Sequence, residues 1–292
     1  MTATQPAFVL VHGAWHNRSA WDKITPMLEA SGFAAFTLDL PGAGVNAIEP
    51  SSLARRPFDS AAFAAEPSPS AGVTLEERAR AVVALVREAG RSGGKVVLVG
   101  HSAGGMTVSA VAEQVPDLLQ AVVYLAGFMV PNGLSLLDML QHESMSSALG
   151  PKLFVGDPAA IGATRLHAGS TDVAYRALLK AAFYGDASEA DFVRAAAQLH
   201  CDESNAGALA RSEITPGGFG AVPRHYIRCS QDRAVPLPGQ DHMIAAVDGA
   251  IGSTTTIHTL DSSHSPFLSQ PAALAKILID IGARPVTEQG AE

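Results

Sequence analysis

Short apolar runs, rich in valine, phenylalanine and isoleucine, recur along the chain and are separated by longer stretches of mixed character. Because the apolar positions in these runs do not alternate with polar ones, the pattern is typical of strands that are buried on both faces of a parallel sheet. Such runs predict strands at residues 7–11, 34–40, 95–100, 121–128, 224–229 and 254–260.

Helical patterns lie between the predicted strands. The clearest begins at Thr74, where the sequence TLEE forms a capping box, and it ends at Gly90, a residue suited to a helix C-terminus. Another follows at residues 103–115, and a last helix is predicted to start at Pro271, since proline fits the first helical turn. Strands that alternate with helices predict an α/β fold with a doubly wound, mostly parallel sheet.

The alternation breaks between residues 131 and 218, where helical patterns continue but no strand is indicated. Helices are predicted at residues 171–184 and 188–199, and Ser188 is suited to cap the second. We therefore interpret this stretch as a helical lid inserted into the sheet domain. The predicted boundaries are residues 1–130 and 219–292 for the core, and residues 131–218 for the lid.

Two further stretches lack a sustained period. Residues 46–73 contain the sequence EPSPS and scattered alanines, which indicates an ordered loop or short helices close to the lid. The last residues, 284–292, have the sequence RPVTEQGAE and the polar character of a frayed tail.

Composition and charge narrow the class of protein. Hydrophobic residues make up 47% of the 292 positions and charged residues 16%, as in an ordinary soluble enzyme. The formal charge of −8 leaves no basic stripe for a phosphate backbone, so nucleic acid is not an expected partner. Cys201 and Cys229 lie far apart without C-x-x-C spacing, which favours reduced, buried thiols over a disulfide or a zinc site.

The N-terminal sequence MTATQPAFVLVHG has no basic region, and its apolar run is too short for a signal peptide. The longest apolar stretch, at residues 121–130, is also too short to span a membrane. We therefore expect a cytoplasmic protein that does not contact a membrane. The sequence is compatible with a monomer or a homodimer.

The sequence VLVGHSAGG, at residues 97–105, places Ser102 between a predicted strand and a predicted helix. A nucleophile at such a sharp turn needs small neighbours two residues away on each side, because the strained backbone would otherwise clash. Gly100 and Gly104 fill those positions. The G-x-S-x-G pattern in this context predicts that Ser102 is a nucleophile.

The same five-letter pattern also occurs around Ser92, between Gly90 and Gly94. There the serine follows a helix and precedes a strand, which is the reverse of the order that a nucleophile turn requires. Ser92 is therefore interpreted as a loop residue, and the surrounding elements single out Ser102.

Two backbone N–H groups are candidates for an oxyanion hole. The helix after Ser102 directs free N–H groups toward the site, and that of Ala103 is suitably placed. The loop after the first strand supplies the second donor, which we assign to Ala14. His12 and His16 flank this loop but lack the helical spacing and the glutamate of a zinc motif, so structural hydrogen bonding is favoured for both.

A serine hydroxyl needs a histidine base, and the histidine needs a carboxylate that orients it. In α/β-hydrolases these residues follow one another in the order serine, acid, histidine. His264 lies in the loop LDSSHSPF between the last strand and the last helix, and Asp232 follows the strand at residues 224–229, so these two are our base and acid.

The alternatives for the base and the acid fit less well. Candidates set aside because they lie within predicted strands or a predicted helix are His225, His258, His242 and Asp241. Asp261 is too close to His264 in sequence to reach its far nitrogen, and a turn-capping role for Asp232 remains open.

A glycine-rich stretch, DLPGAGVNA, contains Gly42, Gly44 and Ala47 at the spacing of a dinucleotide fingerprint. Pro50 and the serines after it interrupt the helix that should follow such a motif. A glycine-rich loop beside the active site is therefore the better interpretation.

Taken together, these motifs resemble the α/β-hydrolase superfamily, and within it the branch of esterases and hydroxynitrile lyases that includes plant methylesterases. The likeness covers most of the chain: FVLVHGAWH, WDKITPMLEASG, DLPGAG, GHSAGG, PRHYIRCSQDRAVP and SSHSPFLS. EPSPSAGVTLEE and FGAVPRHYIRC are most similar to bacterial esterases of that branch. The resemblance implies the same triad, Ser102, Asp232 and His264, and the same oxyanion donors, Ala14 and Ala103.

Two positions depart from the lyases of this branch, which carry a threonine after the first histidine and a lysine after the catalytic one. Gly13 and Ser265 occupy these places here, so the departing cyanide would lack a stabilising cation. Esterases of the branch commonly have methionine after the catalytic histidine, and Ser265 departs from that pattern too.

The expected function is hydrolysis of a small, largely apolar ester through an acyl-enzyme, without a metal or an organic cofactor. A carbon–carbon lyase and a hydrolase-fold receptor with little turnover are the alternatives. Apolar lid residues suit either a substrate pocket or simple packing: Leu136, Leu137, Met139, Leu140, Phe154, Leu178 and Phe183.

Overall fold

Six parallel strands form the central sheet of the structure, a computed structural model that describes residues 5–284. The strands of the described chain are β1 (Ala7–Val11), β2 (Ala35–Thr37), β3 (Val96–His101), β4 (Leu119–Leu125), β5 (Ala163–Arg165), β6 (Asp202–Ser204), β7 (Arg224–Cys229) and β8 (Thr256–Leu260). The central sheet has the order β2-β1-β3-β4-β7-β8, and every neighbouring pair in it is parallel. The predicted α/β fold is confirmed.

Helices connect the strands, as parallel pairing requires. They are α1 (Thr25–Ala30), α2 (Ser60–Ala65), α3 (Leu75–Ala89), α4 (Gly104–Gln114), α5 (Leu136–Leu140), α6 (Pro158–Ile161), α7 (Val173–Phe183), α8 (Glu189–Ala196), α9 (Asn205–Leu209), α10 (Leu237–Ile251), α11 (Pro266–Ser269) and α12 (Pro271–Gly282). The predicted capping box is present, since the Thr74 hydroxyl accepts from the Glu77 N–H and the Glu77 carboxylate accepts from Thr74. Ser188 caps α8 as predicted.

Both faces of the sheet are covered by helices. On β1, Val9 belongs to the apolar cluster that packs against α3 and α4, whereas Phe8 belongs to the cluster that packs against α1 and α12. Successive side chains of a strand point to opposite faces, so an unbroken apolar run is what a strand between two helical layers needs. The unalternating runs are explained in this way for the inner strands.

The last strand differs from this prediction. β8 lies at the edge of the sheet, and Thr256, Ile257 and Thr259 are exposed. An edge strand has a neighbour on one side only, and here helices do not cover its outer part. The expectation that the run at residues 254–260 is buried on both faces is therefore wrong, although the strand itself is present. It is also wrong for the run at residues 34–40, since β2 lies at the other edge of the sheet and is only half-buried.

The segment between β4 and β7, which includes residues 131–218 and is called the inserted segment below, contains α5 to α9. It also contains β5 and β6, which pair antiparallel, so the expectation of an insertion without strands is wrong. Each strand has only three residues, too few to produce a periodic sequence signal. A buried ion pair holds the two together, with Nε of Arg165 2.6 Å from Oδ1 of Asp202.

Residues 46–73 form short helical turns, as expected, and contact the inserted segment. A 3₁₀ turn (Ser51–Ala54) precedes α2, and the Ser68 N–H donates to the carbonyl of Ile161 over 2.8 Å. The predicted frayed tail lies, apart from Arg284, outside the described residues.

Candidate active site

Ser102 lies at the sharp turn between β3 and α4 with φ at 51°, a left-handed conformation that a serine rarely adopts. Backbone hydrogen bonds stabilise this turn on both sides. The Ser102 N–H donates to the carbonyl of Leu125 over 3.1 Å, and the Ser102 carbonyl accepts from Gly105 and from Phe128 over 2.9 Å each. A strained residue persists only where the surrounding structure fixes it, and such residues cluster at functional sites.

The glycines two residues either side of Ser102 are required by close packing. A Cβ atom on Gly100 would lie 2.7 Å from Cγ2 of Val108, and one on Gly104 would lie 2.5 Å from the carbonyl oxygen of His12. The reason given for the G-x-S-x-G pattern is therefore confirmed. At the second match, Ser92 lies in a 3₁₀ turn between α3 and β3, as the order of elements indicated.

His264 and Asp232 form a buried pair. Nδ1 of His264 lies 2.7 Å from Oδ2 of Asp232, and only 1% and 5% of the two residues are exposed. Because a carboxylate only accepts hydrogen bonds, the proton of the ring is on Nδ1 and Nε2 of a neutral ring is free to accept one. The other oxygen of Asp232 accepts from the N–H groups of Ala234 and Val235, over 2.7 and 2.9 Å.

His101, directly before Ser102, joins the turn to the loop of His264. Nε2 of His101 lies 3.0 Å from the carbonyl oxygen of His264, and the two ring centroids are 4.6 Å apart. Ser102 and His264 are thereby brought to the same edge of the sheet. Among the described residues, no hydrogen bond joins the Ser102 hydroxyl to His264, and catalytic hydrogen bonds are often long before substrate binds.

The loop after β1 contacts the Ser102 turn from the other side. A Cβ atom on Gly13 would lie 2.7 Å from Cβ of Ser102. Ala14 and Ala103 both line the cavity beside Ser102. The two residues predicted to supply oxyanion donors are thus adjacent to the serine.

The two histidines of this loop are hydrogen-bonded within the fold. Nδ1 of His12 is 2.9 Å from the carbonyl of Gly13, and its Nε2 accepts from the Leu40 N–H over 3.1 Å. In His16, Nδ1 is 2.8 Å from the carbonyl of Ala14 and Nε2 is 2.8 Å from the hydroxyl of Tyr184. The structural interpretation of both residues is confirmed.

Burial keeps these two rings neutral. Desolvation lowers the pKa of His12 to about 4 and that of His16 to about 3, although hydrogen bonds to carbonyls of the loop oppose the shift. A neutral ring can donate through one nitrogen and accept through the other, which is the arrangement that both residues use.

The other histidines and aspartates that were set aside lie where the sequence placed them. His225 on β7 and His258 on β8 face each other, with Nδ1 of the first 3.2 Å from Nε2 of the second. His242 and Asp241 are part of α10. Asp261 accepts from Ser230 and Gln231 rather than from His264.

The glycine-rich stretch after β2 is a loop, since a three-residue 3₁₀ turn (Gly44–Asn46) replaces a helix there. The carboxylate of Asp39 organises it by accepting from the N–H groups of Arg18 and Val45, over 2.8 and 3.1 Å. The loop meets the site through Leu40, which donates to His12.

Two adjoining cavities open beside Ser102. The smaller, about 50 Å³, is lined by Ser102 itself together with Phe183, Ala234 and Val235. The larger, about 380 Å³, extends past Ala103 toward α3 and α9. Residues common to both linings are Ala14, Trp15, Ala103, Leu136, Leu140 and Phe154.

The apolar residues singled out in the inserted segment therefore divide into two groups. Some of them line a cavity: both cavities for Leu136, Leu140 and Phe154, the larger one for Leu137 and the smaller one for Phe183. Met139 is buried inside one apolar cluster, and Leu178 is partly buried against another.

Sequence reasoning did not identify the polar wall of the larger cavity. Arg78 on α3 and Glu203 on β6 form a buried ion pair there, and the Trp15 N–H donates to Glu203. Arg78 and Glu203 are 125 positions apart, and neither belongs to a recognisable motif. The only available signal was the position of Trp15, directly after Ala14.

Comparison with known proteins agrees with this geometry. Residues 8–277 match the sequence model of the alpha/beta hydrolase family. The protein belongs to this family. The match spans most of the chain, including the turn at Ser102 and the loop that carries His264.

Curated relatives of this α/β hydrolase include plant proteins. It is 28% identical over 280 residues to salicylic acid-binding protein 2 of Nicotiana tabacum, a match that covers 94% of the chain and 96% of the tobacco protein. It is 26% identical over 280 residues to methylesterase 7 of Arabidopsis thaliana, a match that covers 95% of the chain and 96% of that protein. The chain spans only 63% of the length of another Arabidopsis thaliana relative, to which it is 27% identical over 283 residues.

Solved structures share the fold. A pyrethroid hydrolase from Sphingobium faniae JZ-2 superposes with a TM-score of 0.74 at 20% sequence identity, and the match covers 97% of this chain and 99% of that one. Within the part of the α/β hydrolase that the structure describes, no helix is long and apolar enough to cross a membrane.

Proposed function

We propose that the protein hydrolyses carboxylic esters through an acyl-enzyme. Ser102 is the nucleophile, His264 the general base and Asp232 the residue that orients the base. The observation that carries the proposal is the buried contact between His264 and Asp232 at the same sheet edge as the strained Ser102 turn. Several relatives are named as methylesterases, which supports an ester as substrate.

The reaction follows from the chemistry of these groups. Nε2 of His264 takes the proton of the Ser102 hydroxyl as the oxygen attacks the ester carbonyl, and the N–H groups of Ala14 and Ala103 stabilise the oxyanion. His264 then protonates the leaving alcohol. Water, deprotonated by His264, attacks the acyl-enzyme and releases the acid, which restores Ser102.

The two cavities suit the two halves of an ester. The alcohol must lie within reach of His264, on the side where Phe183 and Ala234 line the smaller cavity. The acyl group then extends past Ala103 into the larger cavity. Its volume of about 380 Å³ lies within the roughly 300–1,000 Å³ typical of drug-sized ligand pockets, so it accommodates a larger acyl group than a small ester carries.

Lyase chemistry is the weaker candidate. Ser265, which follows His264, is 1% exposed and places a neutral hydroxyl where a cation would be needed for departing cyanide. Gly13 lacks a hydroxyl that could hold a cyanohydrin. A cytoplasmic location and assembly as a homodimer remain predictions from the sequence.

Covalent labelling with an organophosphonate ester tests the proposal. The reagent should add one phosphonyl group per chain, and peptide mass spectrometry should place it on Ser102. Ser92, in the second G-x-S-x-G match, is an internal control and should stay unmodified. Modification of a residue other than Ser102 would contradict the assignment. Binding of the reagent without covalent modification would also contradict it and would indicate a receptor.

A further inference from the structure

Trp15 is held at three points by the inserted segment. Its N–H donates to Oε2 of Glu203 over 3.2 Å, and its carbonyl accepts from the His200 N–H over 3.1 Å. Its indole Nε1 donates to the carbonyl of Thr164, on β5, over 3.0 Å. The backbone directly after Ala14 is therefore fixed by β5, β6 and the residues before β6.

This backbone is strained. Trp15 has φ at 59°, a left-handed conformation that is uncommon for a bulky residue. Such a conformation costs on the order of 1–3 kcal/mol and persists only when its surroundings impose it. The N–H group of Ala14 lies one residue earlier, so its direction depends on the same turn.

Glu203 is itself held in place. Its side chain pairs with Arg78 on α3, and it is 7% exposed. Burial alone would raise the pKa of Glu203, but the charge of Arg78 and the neighbouring His200 together outweigh burial and hold the pKa at about 2. Glu203 is therefore a fixed, ionised acceptor that connects the core helix α3, the inserted segment and the loop after β1.

We infer that Glu203 is a positioning residue for the oxyanion hole. By accepting from the Trp15 N–H it imposes the left-handed turn that aims the Ala14 N–H at the developing oxyanion. The inserted segment then has a second role besides covering the substrate, because it fixes one of the two oxyanion donors. This inference rests on the proposed ester hydrolysis by Ser102.

The variant Glu203→Gln separates the two contacts of this side chain. An amide has one accepting oxygen, whereas the carboxylate of Glu203 accepts from Arg78 with one oxygen and from Trp15 with the other. The charged guanidinium forms the stronger hydrogen bond and should take the amide oxygen. The Trp15 N–H then faces an NH₂ group, and the strained turn loses its partner.

A second variant guards against misfolding. The double variant Arg78→Met with Glu203→Met replaces the buried ion pair by apolar side chains, a change that often leaves a fold stable. It removes the acceptor for Trp15 without leaving an unpaired buried charge. Glu113→Gln is the control, because it makes the same change on α4, where the carboxylate accepts from the N–H groups of Thr215 and Phe219. Within residues 5–284, Glu113 forms no hydrogen bond with Trp15, β5 or β6.

The readout is the separation of kcat from KM with a p-nitrophenyl ester. Removing one oxyanion donor costs about 10²- to 10³-fold in kcat, so a misdirected donor should cost about 10- to 100-fold in both Glu203 variants. KM should stay within about threefold, since the ground-state carbonyl depends little on the donor. Glu113→Gln should keep the kcat of the wild type even if its melting temperature falls as far as that of Glu203→Gln.

Binding of a trifluoromethyl ketone completes the test, because its adduct with Ser102 carries an oxyanion. Its affinity should fall in parallel with kcat in the Glu203 variants, and that of a non-reacting amide analogue should not. Unchanged kcat in both Glu203 variants, or a raised KM alone, would overturn the inference. Ser102→Ala is assayed beside them: if it retains turnover, the proposed hydrolysis fails, independently of Glu203.

Discussion

Nδ1 of His264 lies 2.7 Å from Oδ2 of Asp232, although the two residues are 32 positions apart in the chain. The contact forms because β7 and β8 are neighbours and parallel, so the loops that follow them leave the sheet at the same edge. Asp232 is held by backbone N–H groups at its other oxygen, which fixes the orientation of the pair. Its geometry is that of an acid that orients a general base.

Asp232→Asn should lower kcat by about 10³- to 10⁴-fold with a small change in melting temperature. An amide can donate to Nδ1, which favours the tautomer with the proton on Nε2 and leaves no base facing Ser102. Steady-state kinetics with a p-nitrophenyl ester measure the effect. Asp261→Asn is the control, since Asp261 lies in the same loop region but contacts Ser230 and Gln231. Equal losses in both variants would show that Asp232 has no special role.

Ser102→Ala should reduce ester turnover by about 10⁶-fold, because the substitution removes the proposed nucleophile. Substrate binding should persist, because the substitution removes only one oxygen atom from the lining of the smaller cavity. Ser92→Ala carries the same substitution in the second G-x-S-x-G match and should behave as the wild type. A loss of only a few fold in Ser102→Ala would mean that the nucleophile lies elsewhere.

Ala208→Phe should change acyl selectivity. Ala208 on α9 lines the larger cavity but not the smaller one, so a phenyl ring there shortens the space for the acyl chain. Turnover of p-nitrophenyl octanoate should fall by about 10-fold or more, as expected from the roughly 1–3 kcal/mol per displaced methylene in such pockets. The acetate ester should react as before.

Ala206→Phe is the control for this substitution, because it adds the same ring to α9 at a position that lines neither cavity. If Ala208→Phe slows the acetate and the octanoate equally, the larger cavity does not hold the acyl group.

The free energy of unfolding should fall as the pH drops from about 6.5 to about 5. Burial lowers the pKa of His12 to about 4 and that of His16 to about 3 in the folded protein, whereas both titrate near 6.5 when unfolded. In this pH window the two histidines are protonated in the unfolded chain but remain neutral in the native protein, so stability decreases with acidification. Each histidine lowers the free energy of unfolding by up to about 1.4 kcal/mol per pH unit.

Urea unfolding followed by tryptophan fluorescence at pH 7, 6 and 5 measures this dependence. His16→Gln should reduce the slope of the free energy of unfolding against pH by an amount that corresponds to up to one proton, because glutamine does not titrate. The same slope in the variant and the wild type would contradict the assignment of this pH dependence to His16.

Much of the fold was determined by local patterns that the sequence carries by itself. The unbroken apolar runs mark strands between two helical layers, and the small residues around Ser102 mark a turn that has no room for a Cβ atom. These signals are strong because each depends on neighbours within a few residues. The order of strands and helices then placed His264 and Asp232 on loops at one edge of the sheet.

Only the tertiary structure decided which polar residues meet across long separations. Arg78, Glu203 and Trp15 come from three distant parts of the chain, and the strands β5 and β6 are too short to leave a periodic pattern. The sequence of a buried ion pair is the same as that of an exposed one, because burial depends on how distant elements pack. The sequence therefore determined where the serine and its partners lie, and packing decided what holds the loop beside them.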